Sequence, residues 1–383
     1  MPGAVVDRVR DRLVGTTGPI TPAAVAAAVR AESGGVLGDT ELLAALRLLD
    51  SEFTGAGVLQ PLLDDPQVTD VLVTAPDAVW VERGRGLERS AVRFPDAGAV
   101  WRLAQRLAMA AGRRLDEAAP FVDGRLPDGT RLHAIVPPIA HDGVCLSLRA
   151  HRPAAHDLPA LRRLGAFDVE LEAVLRAIVR ARLAFLVVGG AGSGKTTLLA
   201  ALLGCSGAAE RIVCVEDASE LRPNHPHVVH LVSRPPNIEG AGEVTLRELV
   251  RQALRMRPDR LVVGEVRGAE VCELLAALNT GHDGGAGTLH ANSAAEVPAR
   301  LEALAALGGL GRAALHSQLA AAVQVVLEVR RCGDGRRRLT GIGVVERGGE
   351  LVSVRPVWRP DGWRDGRARL AELLGERGVR WSC

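Results

Sequence analysis

The segment GGAGSGKTT, between the apolar run FLVV and the helix-compatible run TLLAALLG, constrains the fold most. It matches the pattern G-x-x-x-x-G-K-[ST]. A strand that turns through glycines into a helix points backbone N–H groups and the positive end of the helix dipole at one place, which suits phosphate. An ordinary glycine turn into a helix is the alternative. We predict that the phosphate-binding loop comprises Gly189, Gly190, Ala191, Gly192, Ser193, Gly194, Lys195, Thr196 and Thr197.

The loop contains the only lysine of the chain, among 47 basic residues. A compact ammonium with three donors fits among phosphate oxygens, whereas the planar fork of arginine is too large for a position inside the loop. We therefore expect Lys195 to contact the β- and γ-phosphates of ATP, and the hydroxyl of Thr196 to bind Mg²⁺.

The order of apolar runs indicates the architecture. From about residue 169, strand-like runs such as AFLVVGG, RIVCVED and LVVGEV alternate with helical runs, which is typical of a parallel sheet covered by helices. Earlier, short β-like runs surround one helical segment and predict a compact α+β domain. The predicted organisation is a helical appendage (1–50), an α+β N-terminal domain (51–152), a linker (153–168), an α/β domain (169–330) and a β-rich closing segment (331–383).

A carboxylate stands at the end of the run LVVGEV. In many P-loop enzymes this strand ends in an aspartate that holds the metal, but here Gly264 occupies that place. Glu265 then takes the carboxylate role, either through a water to Mg²⁺ or by orienting the attacking water. A surface glutamate at a strand end is the alternative.

Two further runs end in polar residues. Glu216 and Asp217 end RIVCVED, and either can polarise water for attack on a phosphate, although Asp217 can instead cap a helix. His290 follows AGTL, where a histidine can report whether the γ-phosphate is present. A lone histidine is more often structural. A metal site around His282 and His290 is less favoured, because no carboxylate or cysteine lies at ligand spacing from these histidines.

Charge and apolar patterning disfavour several classes of partner and location. The net charge is +2 with both signs interspersed, so nucleic acid is disfavoured as the principal partner. Six cysteines without a CxxC pair and a start without an apolar signal core favour a cytoplasmic setting. The most apolar long stretch, LEAVLRAIVRARLAFLVV, is broken by Arg176, Arg180 and Arg182 and cannot be a spanning helix. Membrane association is therefore expected to be peripheral, at the inner face of the plasma membrane.

Taken together, these motifs resemble the secretion ATPase superfamily of type II and type IV secretion systems. They are most similar to its tight-adherence (Flp pilus) branch, whose actinobacterial members are often called conjugal-transfer-associated ATPases. The resemblance covers about residues 50–355. It rests on GGAGSGKTTL, VEDASEL, the long run HVVHLVSRPPNIEGAGEVTLRELVRQALRMRPDRLVVGEVRGAE, LNTGHDGGAGTLHAN and the earlier run RRLDEAAPFVDGRLPDGTRLHAIVPPIAHDGVCLSLR.

The resemblance implies a RecA-like ATPase domain preceded by a smaller α+β N-terminal domain, assembled as a homo-hexamer with ATP between the domains. It assigns Glu216 to the family's Asp box, Glu265 to its Walker B box and His290 to its His box. It also implies that three arginines of the earlier run reach the nucleotide phosphates, namely Arg125, Arg131 and Arg149. The alternative is that each of them is a solvated surface charge. The tetracysteine zinc module of some relatives is missing, so no zinc is expected.

The function implied is a motor that hydrolyses ATP to power pilus assembly or protein secretion through inner-membrane platform proteins. One alternative is a DNA-translocating, conjugation-type ATPase, which the near-neutral charge disfavours. The other is an ATP-binding scaffold with little hydrolysis, which the acidic boxes disfavour.

Overall fold

The computed structural model describes residues 55–381 except 85, 151–155, 235 and 237–240, together with residues 27, 28 and 31. Apart from those three positions, the predicted appendage 1–50 lies outside the described residues. The chain divides into two compact units, Met1–Arg152 and Pro153–Cys383. In the described part, no helix combines the length and apolar composition needed to cross a bilayer.

The first unit is built on an antiparallel sheet with the order β3-β2-β1-β6-β5-β4. Its strands are β1 (Asp70–Ala75), β2 (Ala78–Glu82), β3 (Leu87–Arg89), β4 (Phe121–Arg125), β5 (Arg131–Ile135) and β6 (Cys145–Arg149). Its helices are α1 (Gln60–Asp64) and α2 (Ala97–Ala110), with a 3-10 turn at Gly57–Leu59. Alternate strand residues are buried, and one sheet face therefore packs with α2 into a single apolar core.

Helix α2 shows how the sequence defines these elements. The Asp96 side chain accepts the backbone N–H of Ala99 at 2.7 Å, which caps the helix. Val100, Leu103 and Leu107 recur at helical spacing and are all buried in the core of this unit.

The second unit holds a nine-stranded sheet with the order β15-β14-β13-β12-β7-β11-β10-β8-β9. Its strands are β7 (Phe185–Val188), β8 (Ile212–Glu216), β9 (Val228–Val232), β10 (Arg260–Val266), β11 (Ala286–Leu289), β12 (Val325–Arg331), β13 (Arg337–Gly348), β14 (Leu351–Arg359) and β15 (Gly362–Trp363). The run from β12 to β9 is parallel, and β12 through β15 pair antiparallel. The predicted parallel sheet is confirmed.

Helices cover both faces of this sheet. They are α3 (Leu158–Arg163), α4 (Val169–Arg180), α5 (Lys195–Leu203), α6 (Leu246–Ala253), α7 (Glu270–Leu278), α8 (Val297–Leu307), α9 (Arg312–Ala322) and α10 (Gly366–Glu376), with 3-10 turns at Leu254–Met256 and Ala294–Glu296. Phe185 and Val187 of β7 pack with α4, α5 and α10, whereas Leu186 and Val188 face the core of α6 to α9. The fully buried run FLVV follows from this double coverage.

The segment 153–168, which the sequence suggested was a linker, contains α3. Leu158 and Leu161 of α3 are buried in the core of the second unit, and Asp157 caps the helix by accepting the N–H of Ala160 at 2.7 Å. The closing segment continues the same sheet through β13 to β15. It also contains α10, whose Leu370 and Leu374 are buried in that core and which the sequence analysis did not anticipate.

Candidate nucleotide-binding site

Four parallel strands end at one edge of the second unit's sheet. Strands β7, β11, β10 and β8 are adjacent in that order, so their carboxyl ends share the edge at which α/β proteins bind ligands. Gly189 follows β7, His290 follows β11, Glu265 is the penultimate residue of β10, and Glu216 ends β8. The structure therefore brings these four predicted residues to the same edge.

The glycine loop turns tightly from β7 into α5. Gly189 has φ +152°, and a Cβ there would lie 2.2 Å from the carbonyl oxygen of Val329 on β12. No other residue fits at this position, because the contact is with backbone that cannot move aside. The loop is thus held against β12, and α5 begins at Lys195 directly after it. Ala191 and Gly192 are exposed at the apex of the loop, and Thr196 and Thr197 are partly exposed in the first turn of α5.

Lys195 folds back into the loop. Its Nζ donates to the carbonyl oxygens of Gly189 at 3.0 Å and Gly190 at 2.9 Å, and the residue is only 7% exposed. Burial lowers the pKa of Lys195, while the nearby Glu265 carboxylate raises it. An ammonium that donates to carbonyl oxygens in a buried loop is well matched to an anionic ligand, which would return the interactions that burial removes.

Glu265 and His290 contact each other beside Lys195. Glu265 Oε1 lies 2.5 Å from His290 Nε2, and Lys195 Nζ lies 3.4 Å from the same ring nitrogen. Burial lowers the pKa of His290, the Lys195 charge lowers it further, and Glu265 opposes both. Lys195, His290 and Glu265 therefore form one contiguous set of groups, and the charge of Lys195 or Glu265 affects the pKa of His290.

Glu216 is buried at the end of β8, only 3% exposed. Its Oε1 accepts the backbone N–H groups of Glu220 at 2.9 Å and Leu221 at 2.8 Å. Within the described residues, Oε2 accepts no hydrogen bond, and it lies 3.8 Å from Nδ1 of His230. Burial raises the pKa of Glu216 to about 7, although the two N–H donors pull it down. The carboxyl group therefore gains and loses a proton near neutral pH.

The position of the Glu216 side chain explains why residue 264 is a glycine. A Cβ at position 264 would lie 2.6 Å from Glu216 Cγ. Any side chain there would displace Glu216, so an aspartate at 264 and the observed Glu216 cannot share the space. The carbonyl of Gly264 accepts a hydrogen bond from Thr288 Oγ1 at 2.6 Å, which fastens β10 to β11 at the level of the site.

A pH-dependent stability follows from Glu216. Its pKa is raised from 4.5 to about 7 in the folded chain. The folded state therefore holds a proton that the unfolded state loses, and stability falls as pH rises from about 4.5 through about 7. Glu216→Gln stays neutral, so its melting temperature should exceed that of the wild type by several degrees at about pH 8.5 and by much less at about pH 5.5. Thermal unfolding at both pH values measures this, and the same difference at both would contradict it.

The three predicted arginines lie together in the first unit. Arg125 is directly opposite Arg131 in the pairing of β4 and β5, and Arg131 is opposite Arg149 in the pairing of β5 and β6. Opposed residues of an antiparallel pair share a sheet face, so the three side chains form one row, which we call the arginine row. Arg149 Nε donates to Asp70 Oδ1 at 2.8 Å at the end of the row.

Sequence reasoning missed several residues at the edge. Arg267 pairs with Glu265 and lies 4.0 Å from Asp217. Asp217 does not cap a helix: none follows it in the described residues 217–234, and it accepts a hydrogen bond from Ser233 at 3.1 Å. Arg337 Nε donates to the Gly192 carbonyl at 2.9 Å.

Glu328 was also missed, although an acidic residue inside the apolar run VVLEV is a visible signal. Glu328 is fully buried and accepts the N–H of Ala294 at 2.9 Å. Ala294 lies four residues after His290.

The family model for type II/IV secretion system proteins matches residues 52–377. The chain belongs to this family. The resemblance to secretion ATPases that the motifs predict is thereby confirmed, as is the fold class of an α/β ATPase domain with a smaller N-terminal domain.

Relatives of this secretion family member support the assignment. A Mycobacterium tuberculosis (strain H37Rv) protein that carries the provisional name of a conjugal transfer protein is 63% identical over 349 residues, which are 89% of this chain and 99% of the relative. The type IV secretion system protein PtlH of Bordetella pertussis is 34% identical over 313 residues, 73% of this chain and 91% of PtlH. The solved structure of the pilus retraction motor PilT with bound ADP shares the fold, with a TM-score of 0.54 at 20% identity over 76% of this chain and 82% of PilT.

Proposed function

We propose that this chain hydrolyses ATP at the edge formed by β7, β11, β10 and β8, and that it works as a homo-hexameric motor of a secretion or pilus-assembly system. The observation that carries the proposal is the contact series from Lys195 through His290 to Glu265, at the mouth of a glycine loop. A buried ammonium, a carboxylate and a neutral imidazole in contact at one cleft edge are typical of a catalytic site.

The loop binds the phosphates of ATP. Lys195 exchanges the carbonyls of Gly189 and Gly190 for phosphate oxygens, and the N–H groups at the start of α5 face the same anion. ADP bound in the structure of PilT supports nucleotide as the ligand.

Oxygen donors at this edge fit Mg²⁺. Thr196 would supply a hydroxyl from the first turn of α5, and Glu265 would supply a carboxylate from β10 through a water. Hydroxyl, water and carboxylate oxygens are the ligands that this hard cation prefers. When bound, Mg²⁺ neutralises charge on the phosphates.

Hydrolysis requires a water oriented for attack on the γ-phosphorus. Glu265 orients this water, and its contact with His290 links that position to Lys195. The oxygen of water bonds to phosphorus, the bond from phosphorus to the bridging oxygen of ADP breaks, and a carboxylate takes up the proton that water loses. We propose Glu216 as this acceptor, because its Oε2 accepts no hydrogen bond among the described residues and burial raises its pKa to about 7.

The arginine row enters the proposal through the family resemblance, which implies that Arg125, Arg131 and Arg149 reach the nucleotide phosphates. Like charges directly opposite one another on a sheet are unfavourable, and a phosphate ligand relieves that repulsion. Arg131 stands between the other two arginines and is the most informative position.

Arg131→Gln should lower kcat by at least about tenfold, because an arginine that neutralises developing charge on the γ-phosphoryl group accelerates hydrolysis. Its melting temperature should change little, since the variant removes a like charge from the row but also the ion pair of Arg131 with Asp123 at 4.0 Å. Arg89→Gln is the matched control, because Arg89 lies on β3 of the same sheet and contacts Asp77. Steady-state phosphate release and thermal unfolding measure both effects. Equal kcat values in the two variants would contradict this role.

The assembly and the partners can be tested together. If the chain is a hexamer, light scattering in the presence of ATP and Mg²⁺ should give the mass of six chains. If it is a motor that acts on membrane proteins, DNA should not stimulate ATP hydrolysis at moderate salt. Inner-membrane platform proteins are the proposed partners, with the chain at the inner face of the plasma membrane. Clear stimulation of phosphate release by DNA would favour a nucleic-acid translocase instead.

A further inference from the structure

The hairpin formed by β12 and β13 braces the glycine loop from outside. Next to the Val329 contact with Gly189, Arg337 at the start of β13 donates from Nε to the carbonyl oxygen of Gly192 at 2.9 Å. The aliphatic stem of Arg337 also covers the loop, since a Cβ on Gly194 would lie 3.1 Å from Arg337 Cδ. Arg337 is therefore in contact with two of the three glycines of the loop that have positive φ.

The direction of this hydrogen bond determines the direction of the next amide. In a planar trans peptide the carbonyl and the following N–H point to opposite sides. Because the Gly192 carbonyl is held toward Arg337, the Ser193 N–H points to the inner side of the loop. It faces the carbonyl oxygen of Gly190 at 3.5 Å, and this oxygen also accepts Lys195 Nζ. The inner side of the loop is therefore the side on which the Lys195 ammonium lies.

We propose that Arg337 is a positioning residue of the nucleotide site: it holds the peptide between Gly192 and Ser193 so that the loop offers its N–H groups to the β-phosphate of a nucleoside di- or triphosphate. This inference rests on the proposed function of the site. The arginine itself touches the outside of the loop through a backbone carbonyl, so it acts on the phosphate through the loop.

A positioning role for Arg337 predicts a specific pattern of change in KM and kcat. An arginine that orients the β-phosphate cradle acts equally on bound ATP and on the transition state, because the β-phosphate stays in place during hydrolysis. Loss of such uniform binding raises KM and leaves kcat nearly unchanged. AMP has no β-phosphate, and its affinity should not depend on Arg337.

The test compares Arg337→Gln with Arg338→Gln. Arg338 is the adjacent residue of the same hairpin and contacts Asp334 at 2.6 Å, so it controls for the loss of one surface charge. In Arg337→Gln, the ADP dissociation constant by calorimetry and the KM for ATP should both rise about tenfold, the size expected for a hydrogen bond from a charged donor. The kcat and the AMP dissociation constant should stay within about twofold of the wild type. Arg337→Lys should restore part of the ADP affinity, because an ammonium can donate to the same carbonyl.

Three results would overturn the proposal: ADP affinity unchanged in Arg337→Gln, an equal loss in Arg338→Gln, or a large fall in kcat with KM unchanged. Lys195→Ala separates this failure from failure of the proposed function. If Lys195→Ala loses ADP binding while Arg337→Gln keeps it, only the positioning role is wrong. If Lys195→Ala binds ADP as tightly as the wild type, the nucleotide site itself is wrong. Because Arg337 is exposed, its variants should unfold at the same temperature as Arg338→Gln, which thermal unfolding checks.

Discussion

Lys195→Ala is expected to lower kcat for ATP hydrolysis by at least about 100-fold, the loss typical when a donor aimed at developing charge is removed. Lys195 is the only ammonium side chain in the sequence, and its Nζ already lies among the carbonyls that line the loop. The variant should stay folded, because removing a partly desolvated charge removes a cost of burial. Steady-state phosphate release gives kcat, and circular dichroism reports the fold.

Lys195→Arg is the matched control for charge. It keeps a positive charge, but its planar fork does not fit inside the loop, so it should be almost as inactive as Lys195→Ala. Near-wild-type turnover in Lys195→Arg would show that charge alone matters here and would contradict the argument from size.

Glu265→Gln should lower kcat by about 10²–10⁴-fold, the range for loss of a group that assists proton transfer in the transition state. The amide keeps the shape of the side chain but loses the negative charge that faces His290 and Arg267. Because Glu265 acts on the attacking water, and on Mg²⁺ only through a water, it does not touch the bound phosphates, and ATP affinity should change by no more than a few-fold. Steady-state kinetics and equilibrium binding of a fluorescent ATP analogue measure the two quantities.

Glu248→Gln is the control for Glu265→Gln. Glu248 forms the capping box of α6, where its carboxylate accepts the N–H of Thr245 at 2.8 Å. Its replacement should lower the melting temperature slightly, since the capping box is weakened, and leave kcat unchanged. If Glu265→Gln behaves like Glu248→Gln, Glu265 has no part in the chemistry.

Local sequence patterns were sufficient to predict the glycine loop and the parallel sheet of the second unit. The glycine loop, the apolar run before it and the helical run after it are contiguous, and the alternation that follows defines a parallel sheet. Since parallel strands end at a common edge, the positions of Glu216, Glu265 and His290 along the chain were enough to bring them to one place.

Contacts between distant segments could not be read in the same way. The Arg337 contact with Gly192 spans 145 residues, and no local pattern distinguishes Arg337 from its two arginine neighbours. The packing of Glu216 against Gly264 joins two strands, so the sequence showed that a glycine was present at 264 but not why. The alignment of the three arginines depends on the register of β4, β5 and β6.

One local signal was overlooked. Asp157 followed by Pro159 marks the start of a helix, with a side chain that caps the first turn and a proline where no N–H is needed. The prolines and charges of residues 153–168 are typical of a linker, and they obscure this helix signal in the sequence. Helix α10 was also missed, because the strand-rich character of the preceding residues was extended to the end of the chain.

Single-turnover hydrolysis of ATP labelled at the γ-phosphate, with enzyme in excess and Mg²⁺ present, tests most directly whether this edge carries out the chemistry. The wild type should release labelled phosphate, Glu265→Gln should bind ATP but release phosphate at least about 100-fold more slowly, and Lys195→Ala should do neither at the same concentration. Binding of ATP by the wild type without release of phosphate, or equal release by all three proteins, would contradict ATP hydrolysis at Lys195 and Glu265.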